Sequence, residues 1–395
     1  MTDETPSRLV RVLGIPGATV VGLSAMVGTG LFAVWTPALE TAGRWLVLAV
    51  LAAAGVAALN AVSSARLAVR YPESGGAYAY GRRCLNRWAG VAAGWFFIIG
   101  KSASAAAAGL TIGAYVWPDG QRWIAWLAIV IALAIDLRGI AASTMVSAVL
   151  VGVALAVIVI VLLANVGMPI AGPSTIDPNV DFAGFLVGVG LVFVAFAGYA
   201  RVTVLGEEVR SPRRTIPRAM VLSFAVVVIV YVSVAIAIVA KAGAGVGFGE
   251  APILDLAQLA ANPALVSLTR IAAVLAAGAV LVSLLAGVGR TVFAMASQGD
   301  APRGLQVLGR RIPIPYRAEV LAAVLAAFVV TAGRIGWALA LSAVTIMGYY
   351  SVTHLSALTL PARWGRVVAV LGLASCLVVA GGLLLALLTD HLPSL

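Results

Sequence analysis

The sequence predicts an all-α polytopic membrane protein, and three observations lead there. Of 395 residues, 62% are hydrophobic and 10% charged, a balance foreign to soluble domains. Apolar runs close to the ~20 residues needed to cross a bilayer recur along the whole chain. The net charge of +11 is carried by basic residues in short segments between those runs, not on a polar domain. The charge therefore reads as membrane topology, and nucleic acid is excluded as a partner.

The pattern gives about eleven transmembrane helices, at 12–35, 45–69, 88–117, 123–135, 140–166, 183–209, 217–240, 264–297, 318–333, 336–360 and 366–388. The short fourth and the long third and eighth predict tilted helices with ends in water. Met1 to Arg11 is short and polar, and the run behind it is too long for a signal peptide, so no cleavage is expected. With the N-terminus in the cytoplasm, eighteen Lys and Arg residues fall in inner segments and five in outer ones. Positive charge concentrates on the inner side of a membrane. The expectation is a multi-pass protein of the plasma (inner) membrane with its C-terminus outside.

Three loops stand out. Tyr71-Pro-Glu-Ser-Gly-Gly-Ala-Tyr-Ala-Tyr80 suggests a re-entrant or interfacial cytoplasmic segment. The outer loop from Gly167 to Asp181, with Pro169, Pro173 and Pro178, is the natural hinge between halves. The outer loop from Lys241 to Asn262 contains a candidate short helix. Cys84 and Cys376 are expected as unpaired thiols.

The first span is poor helix material at its centre. Gly22, Gly28 and Gly30 fall within nine residues, and each Gly costs about 1 kcal/mol against Ala in a helix interior. Freed backbone groups in hydrocarbon must be satisfied by protein or by a water-lined cavity. A spanning helix broken at its midpoint thus points to a small-solute site. The sixth span offers a second break around Ala197-Gly198-Tyr199, five spans after the first. Irregular segments at corresponding places in two halves mark transporter sites.

Four motifs in order then carry a family resemblance. They are Gly28-Thr-Gly-Leu-Phe32, Tyr71-Pro-Glu-Ser-Gly-Gly76, Phe196-Ala-Gly-Tyr199 running into Glu207-Glu208-Val-Arg-Ser-Pro, and Gly289-Arg-Thr-Val-Phe-Ala-Met-Ala-Ser-Gln-Gly-Asp300. Together they resemble the amino acid–polyamine–organocation superfamily of secondary transporters, over residues 12 to 360. The resemblance implies a 5+5 inverted-repeat fold. Residues 12–166 would form one repeat and 183–360 the other, with substrate between broken helices 1 and 6. The chain departs by adding one further helix, 366–388, where members usually have two.

The chemistry of the breaks can be stated in its own terms. An outer half-helix starting at Gly28-Thr29-Gly30 offers N–H groups and a positive dipole end to a carboxylate, with the Thr29 hydroxyl beside it. The carbonyls of Ala25 and Met26, and those of Ala195, Phe196 and Ala197, suit an ammonium group. Amide donors facing carbonyls match an α-amino acid zwitterion. Gly198 marks the second break, and Phe196 and Tyr199 are expected as aromatic lids.

Two cations lie within spans, Lys101 and Arg201. Each must face a cavity or a partner, because facing lipid costs a few kcal/mol. For Lys101 the alternatives are a coupling role, replacing or carrying a cation such as a proton, and a fixed structural role. Arg201 can pair with Glu208 as a strut or gate, and Glu207 and Glu208 are expected in an inner-gate salt network. Ser283 and Thr291, with Ser102 and Ser104, could serve a cation or water, although helical Ser and Thr usually bond their own backbone. Arg201 could instead face the substrate and favour anionic groups. Either way, positive charge near the pocket favours neutral small amino acids, or acidic ones, over cations and polyamines.

The leading expectation is an alternating-access amino acid permease that imports or exchanges its substrate, with protons as candidate coupling ion. The alternatives are a non-transporting sensor on the same scaffold and an antiporter for other amines. An enzyme is not expected. His354 and His391 are far apart along the chain, no nucleotide loop follows a strand, and neither a cofactor nor a metal is called for. The sequence leaves the oligomeric state open.

Overall fold

The computed structural model describes residues 14–71, 75–139, 144–168, 172–199, 212–309 and 314–388. Among them every regular element is helical. The helices are α1 (Ile15–Met26), α2 (Thr29–Ala33), α3 (Trp35–Ala42), α4 (Leu46–Arg70), α5 (Gly76–Cys84), α6 (Arg87–Val116), α7 (Gln121–Leu137) and α8 (Thr144–Ala164). They continue with α9 (Phe182–Phe196), α10 (Pro212–Gly243), α11 (Pro252–Leu259), α12 (Pro263–Ser297), α13 (Tyr316–Ala332), α14 (Ile335–Leu358) and α15 (Arg363–Leu388).

Ten of these segments, some made of consecutive helices, are long and apolar enough to cross a membrane. The eleventh expected span is α13, whose 17 residues rise about 26 Å, just short of a bilayer core. The short fourth span gains a turn from Pro118–Gly120 ahead of α7 and reaches 20 residues. The loop expectations also have helices in them: α5 follows the Pro-Glu-Ser-Gly stretch, and α11 is the short helix expected between Lys241 and Asn262.

Alanine and glycine let the helices approach closely. α6 is buried along almost all of its second half, from Ser102 to Tyr115, and packs on α12 and α14. One buried polar cluster ties the last helix to the bundle. His354 on α14 shares hydrogen bonds with Asn60 (2.6 Å) and Ser63 (3.0 Å) of α4, and Cys376 of α15 lies 3.4 Å from the Asn60 carbonyl oxygen. Both ring nitrogens are thereby satisfied, as buried polar groups require. Both cysteines are free.

On the face of the bundle that carries α5, Asp300 fastens three elements. Tyr78 Oη donates to Asp300 Oδ2 and Arg87 Nε to Oδ1, each at 2.8 Å, and Arg82 pairs with the same carboxylate. Burial opposes ionisation of Asp300, but the hydrogen bonds from Arg87, Tyr78 and Arg82 outweigh it and hold the carboxyl below its ordinary range. Burial, reinforced by the Asp300 carboxylate, pushes the Tyr78 phenol up to about 12.

Candidate functional site

The first span is broken where its glycines fall. α1 ends at Met26, Val27 leaves the helix at ψ 73°, and α2 restarts at Thr29 after the extended Gly28. Val27 N still reaches Leu23 O (2.6 Å), while Gly28 N folds back to Met26 O (3.0 Å). The restart leaves the first amides of α2 without a carbonyl one turn behind. A second interruption, at Val34, falls one turn before Pro37, whose missing N–H and ring disfavour a continuous helix.

The sixth span loosens at the expected place. α9 runs to Phe196 and gives way to a 3-10 turn at Ala197–Tyr199. Arg201, Glu207 and Glu208 lie outside the described residues.

The two irregular segments meet backbone to backbone. A methyl group on Gly30 would lie 2.5 Å from Ala195 Cα, and one on Gly198 would lie 2.8 Å from Met26 N and nearer still to the Ala25 carbonyl. Only glycine permits either approach. Met26, Thr29, Ala195, Phe196, Ala197 and Tyr199 are all buried at this junction. The Thr29 hydroxyl is buried without a hydrogen-bond partner, so a polar group is available there. Phe196 packs on Phe224 and Tyr231, and Tyr199 stacks on Tyr350 of α14 with ring centroids 5.8 Å apart.

Two of the carbonyls expected to face an ammonium group, those of Met26 and Ala195, already share a partner. Tyr231 of α10 places its hydroxyl 2.8 Å from Met26 O and 3.3 Å from Ala195 O, between the rings of Trp35 and Phe196. One phenol thus bridges both breaks. Sequence reasoning missed it, and the one available signal is a lone tyrosine in the run from Val226 to Val232. If that hydroxyl occupies the place of an ammonium group, Tyr231→Phe should destabilise the substrate-free protein by about 1 kcal/mol. It should also enlarge the thermal stabilisation given by an amino acid. Melting curves with and without amino acids check both effects.

Beside the break, a cavity of about 20 Å³ is lined by Ser24 of α1, Val27 of the break itself, Ser147 of α8 and neighbours on α12, with room for one water. A larger hollow of about 430 Å³ lies open at the surface near Gln258, Asn262 and Arg270. Its size would admit an amino acid, but none of its lining residues belongs to the breaks.

Lys101 lies half-way along α6, partly buried, with no hydrogen bond or ion pair to the described residues. Ser102 is buried with an unpartnered hydroxyl, and Ser104 bonds Ser342 of α14 at 2.7 Å. Thr291 donates to Gly287 O (3.0 Å), the ordinary helical use of a hydroxyl. Ser283 is on α12, one turn beyond the Val280 that abuts Gly28. Among the described residues no group of His, Cys, Asp or Glu is arranged to hold a metal.

Comparison with known proteins agrees with this architecture. The amino acid permease family model matches residues 17–388. An uncharacterized transporter of Mycobacterium tuberculosis is 42% identical over 384 residues, covering 95% of this chain and 87% of its own length. The branched-chain amino acid permease BcaP of Bacillus subtilis is 26% identical, with 78% of this chain and 72% of the permease aligned. The vacuolar cationic amino acid transporter 2 of Arabidopsis thaliana is also 26% identical, over 81% of this chain and 55% of that protein. A chain with paired helix breaks inside an apolar bundle, matched by the family model over nearly its whole length, belongs to the amino acid permease family of membrane transporters.

Proposed function

We propose that the chain is an alternating-access carrier of small neutral amino acids in the plasma membrane, with its N-terminus in the cytoplasm. Residues 12–166 and 183–360 act as the two repeats that rock about the substrate. The observation that carries the reading is the junction of the two breaks. Thr29 and Gly30 supply N–H groups and a hydroxyl for the carboxylate, joined by the Gly28 N–H once it releases Met26 O. Ala25, Met26, Ala195, Phe196 and Ala197 supply carbonyls for the ammonium group once Tyr231 withdraws. Gly198 keeps the junction narrow, and Tyr199 with Phe196 covers it. The close packing corresponds to a conformation without substrate space, so the carrier must part α1 and α9 to load.

Among the relatives, one is named a branched-chain amino acid permease and another a cationic amino acid transporter. Of the helices packed on the breaks, α1, α2, α6, α8, α9, α10, α12 and α14 have no Asp or Glu among their described residues. By contrast α3 and α11, which also contact α2, carry Glu40 and Asp255. Lys101 adds a positive charge to the first group. A cationic side chain would find no counter-ion on that group, which favours neutral substrates. Lys101 is the proposed coupling group, with Ser283 in support, and Glu207 and Glu208 with Arg201 form the inner gate.

Uptake of a labelled amino acid panel into proteoliposomes tests this, with and without an inward proton gradient. Neutral amino acids should accumulate under the gradient. Lys101→Ala should abolish accumulation while exchange between equal concentrations continues. Uptake of arginine or polyamines alone would contradict the substrate assignment, and unchanged accumulation in Lys101→Ala would remove the lysine from coupling.

A further inference from the structure

A second ionisable cluster lies away from the breaks, where α7, α12 and α13 converge. Glu319 stands in the first turn of α13 and is 3% exposed. It packs on Gly289 of α12, where a methyl group would come within 2.6 Å of Glu319 Cγ. Its Oε2 is buried without a hydrogen-bond partner, and so is Oδ2 of the half-buried Asp136 near the end of α7. Asp136 and the exposed Arg290 act on the charge of the Glu319 carboxyl, and Arg290 acts on Asp136 as well. The remaining elements packed on α13 bring Lys101 and Arg87 on α6 and Arg303 on a 3-10 turn. Among the described residues, the charges that act on the carboxyl beside its burial are those of Asp136 and Arg290.

The influences at Glu319 oppose one another. A buried carboxylate with an unpartnered oxygen is costly, and a second carboxylate beside it adds repulsion. A proton held by the pair relieves both. Arg290 and the helix N-terminus favour the ionised form instead. A site balanced in this way changes occupancy when its helices move, because small displacements of Arg290 or Asp136 decide which influence wins. Gly289 brings α12 into direct contact with Glu319, and α12 also abuts the first break through Val280.

We propose that Glu319, together with Asp136, is a proton-binding site distinct from Lys101, loaded or emptied as α12 shifts against α13. The transport consequence rests on the carrier reading above, whereas the binding of the proton does not.

The test is an infrared pH titration of the purified full-length protein, following the C=O stretch of protonated carboxyl groups between about pH 8 and pH 5. The wild type should show a titrating band worth one carboxyl, absent from Glu319→Gln and displaced in Asp136→Asn, with both variants melting cooperatively. A spectrum unchanged by Glu319→Gln would overturn the proposal and leave a fixed strut. So would a band indifferent to Asp136→Asn. In proteoliposomes, a one-unit inward gradient concentrates L-leucine about tenfold for each proton carried. Glu319→Gln should lose that concentration and keep leucine exchange within about twofold of wild type. Retained accumulation would also overturn the proposal. Absence of leucine exchange in the wild type would count against the carrier reading, and the infrared titration then decides the proton site alone.

Discussion

Replacing Gly198 with valine is expected to slow uptake roughly 10–100-fold, and Gly30→Val to do the same. At both positions the missing side chain is the space in which two backbones meet. The obstacle at Gly198 is the Ala25 carbonyl and Met26 amide, and at Gly30 it is Ala195 Cα. Backbone cannot rotate away as a side chain can. Overpacking typically costs about 1–3 kcal/mol, and placed on the occluded conformation alone it slows the cycle by roughly 10–100-fold. Initial uptake rates, read beside size-exclusion profiles, separate this from misfolding. Gly278 on α12 has open space around it, so Gly278→Ala serves as the control and should transport normally.

Asp300→Asn should produce the largest loss of stability among substitutions outside the spans. Its carboxylate accepts from Tyr78, Arg82 and Arg87, and Arg87 Nη2 also holds Gly299 O at 3.2 Å. The amide can neither balance the two guanidinium charges nor accept at both of its atoms. Hydrogen bonds to charged groups are worth about 2 kcal/mol. The Arg87 side chain is 57% exposed, so solvent screening trims its share. The pH dependence has a definite sign. A carboxyl held below its ordinary 3.8 in the folded protein stabilises fully above that value, and its contribution fades as pH falls through the depressed folded value. The gap in melting temperature between wild type and Asp300→Asn should be widest near neutrality and close in strong acid.

The elements that announced themselves in the sequence did so through backbone chemistry. Glycine at 28 and 30 and at 198 signalled interruption because glycine is costly in a helix and cheap where chains touch. Run lengths marked the spans, including the short run at 318–333 that became the 17-residue α13, ended at Gly333. What stayed hidden depends on packing between distant helices. Nothing near Tyr231 in the chain indicates that its hydroxyl reaches Met26, 205 residues away. Asp136 and Glu319 are likewise far apart in sequence, and each alone resembles an ordinary charge at a helix end. Asp300 was visible as the last residue of a motif, but its partners on α5 and α6 were not.

The claim on which the account rests is that an amino acid binds between the breaks, carboxylate toward Gly28–Gly30 and ammonium toward Met26 and Ala195. Electron cryo-microscopy of the protein with the amino acid that raises its melting temperature most is the direct measurement. The account predicts ligand density between α2 and α9, with Tyr231 drawn off at least one of its two carbonyls. Density only in the outer hollow near Arg270, with Tyr231 still bridging the closed junction, would contradict it.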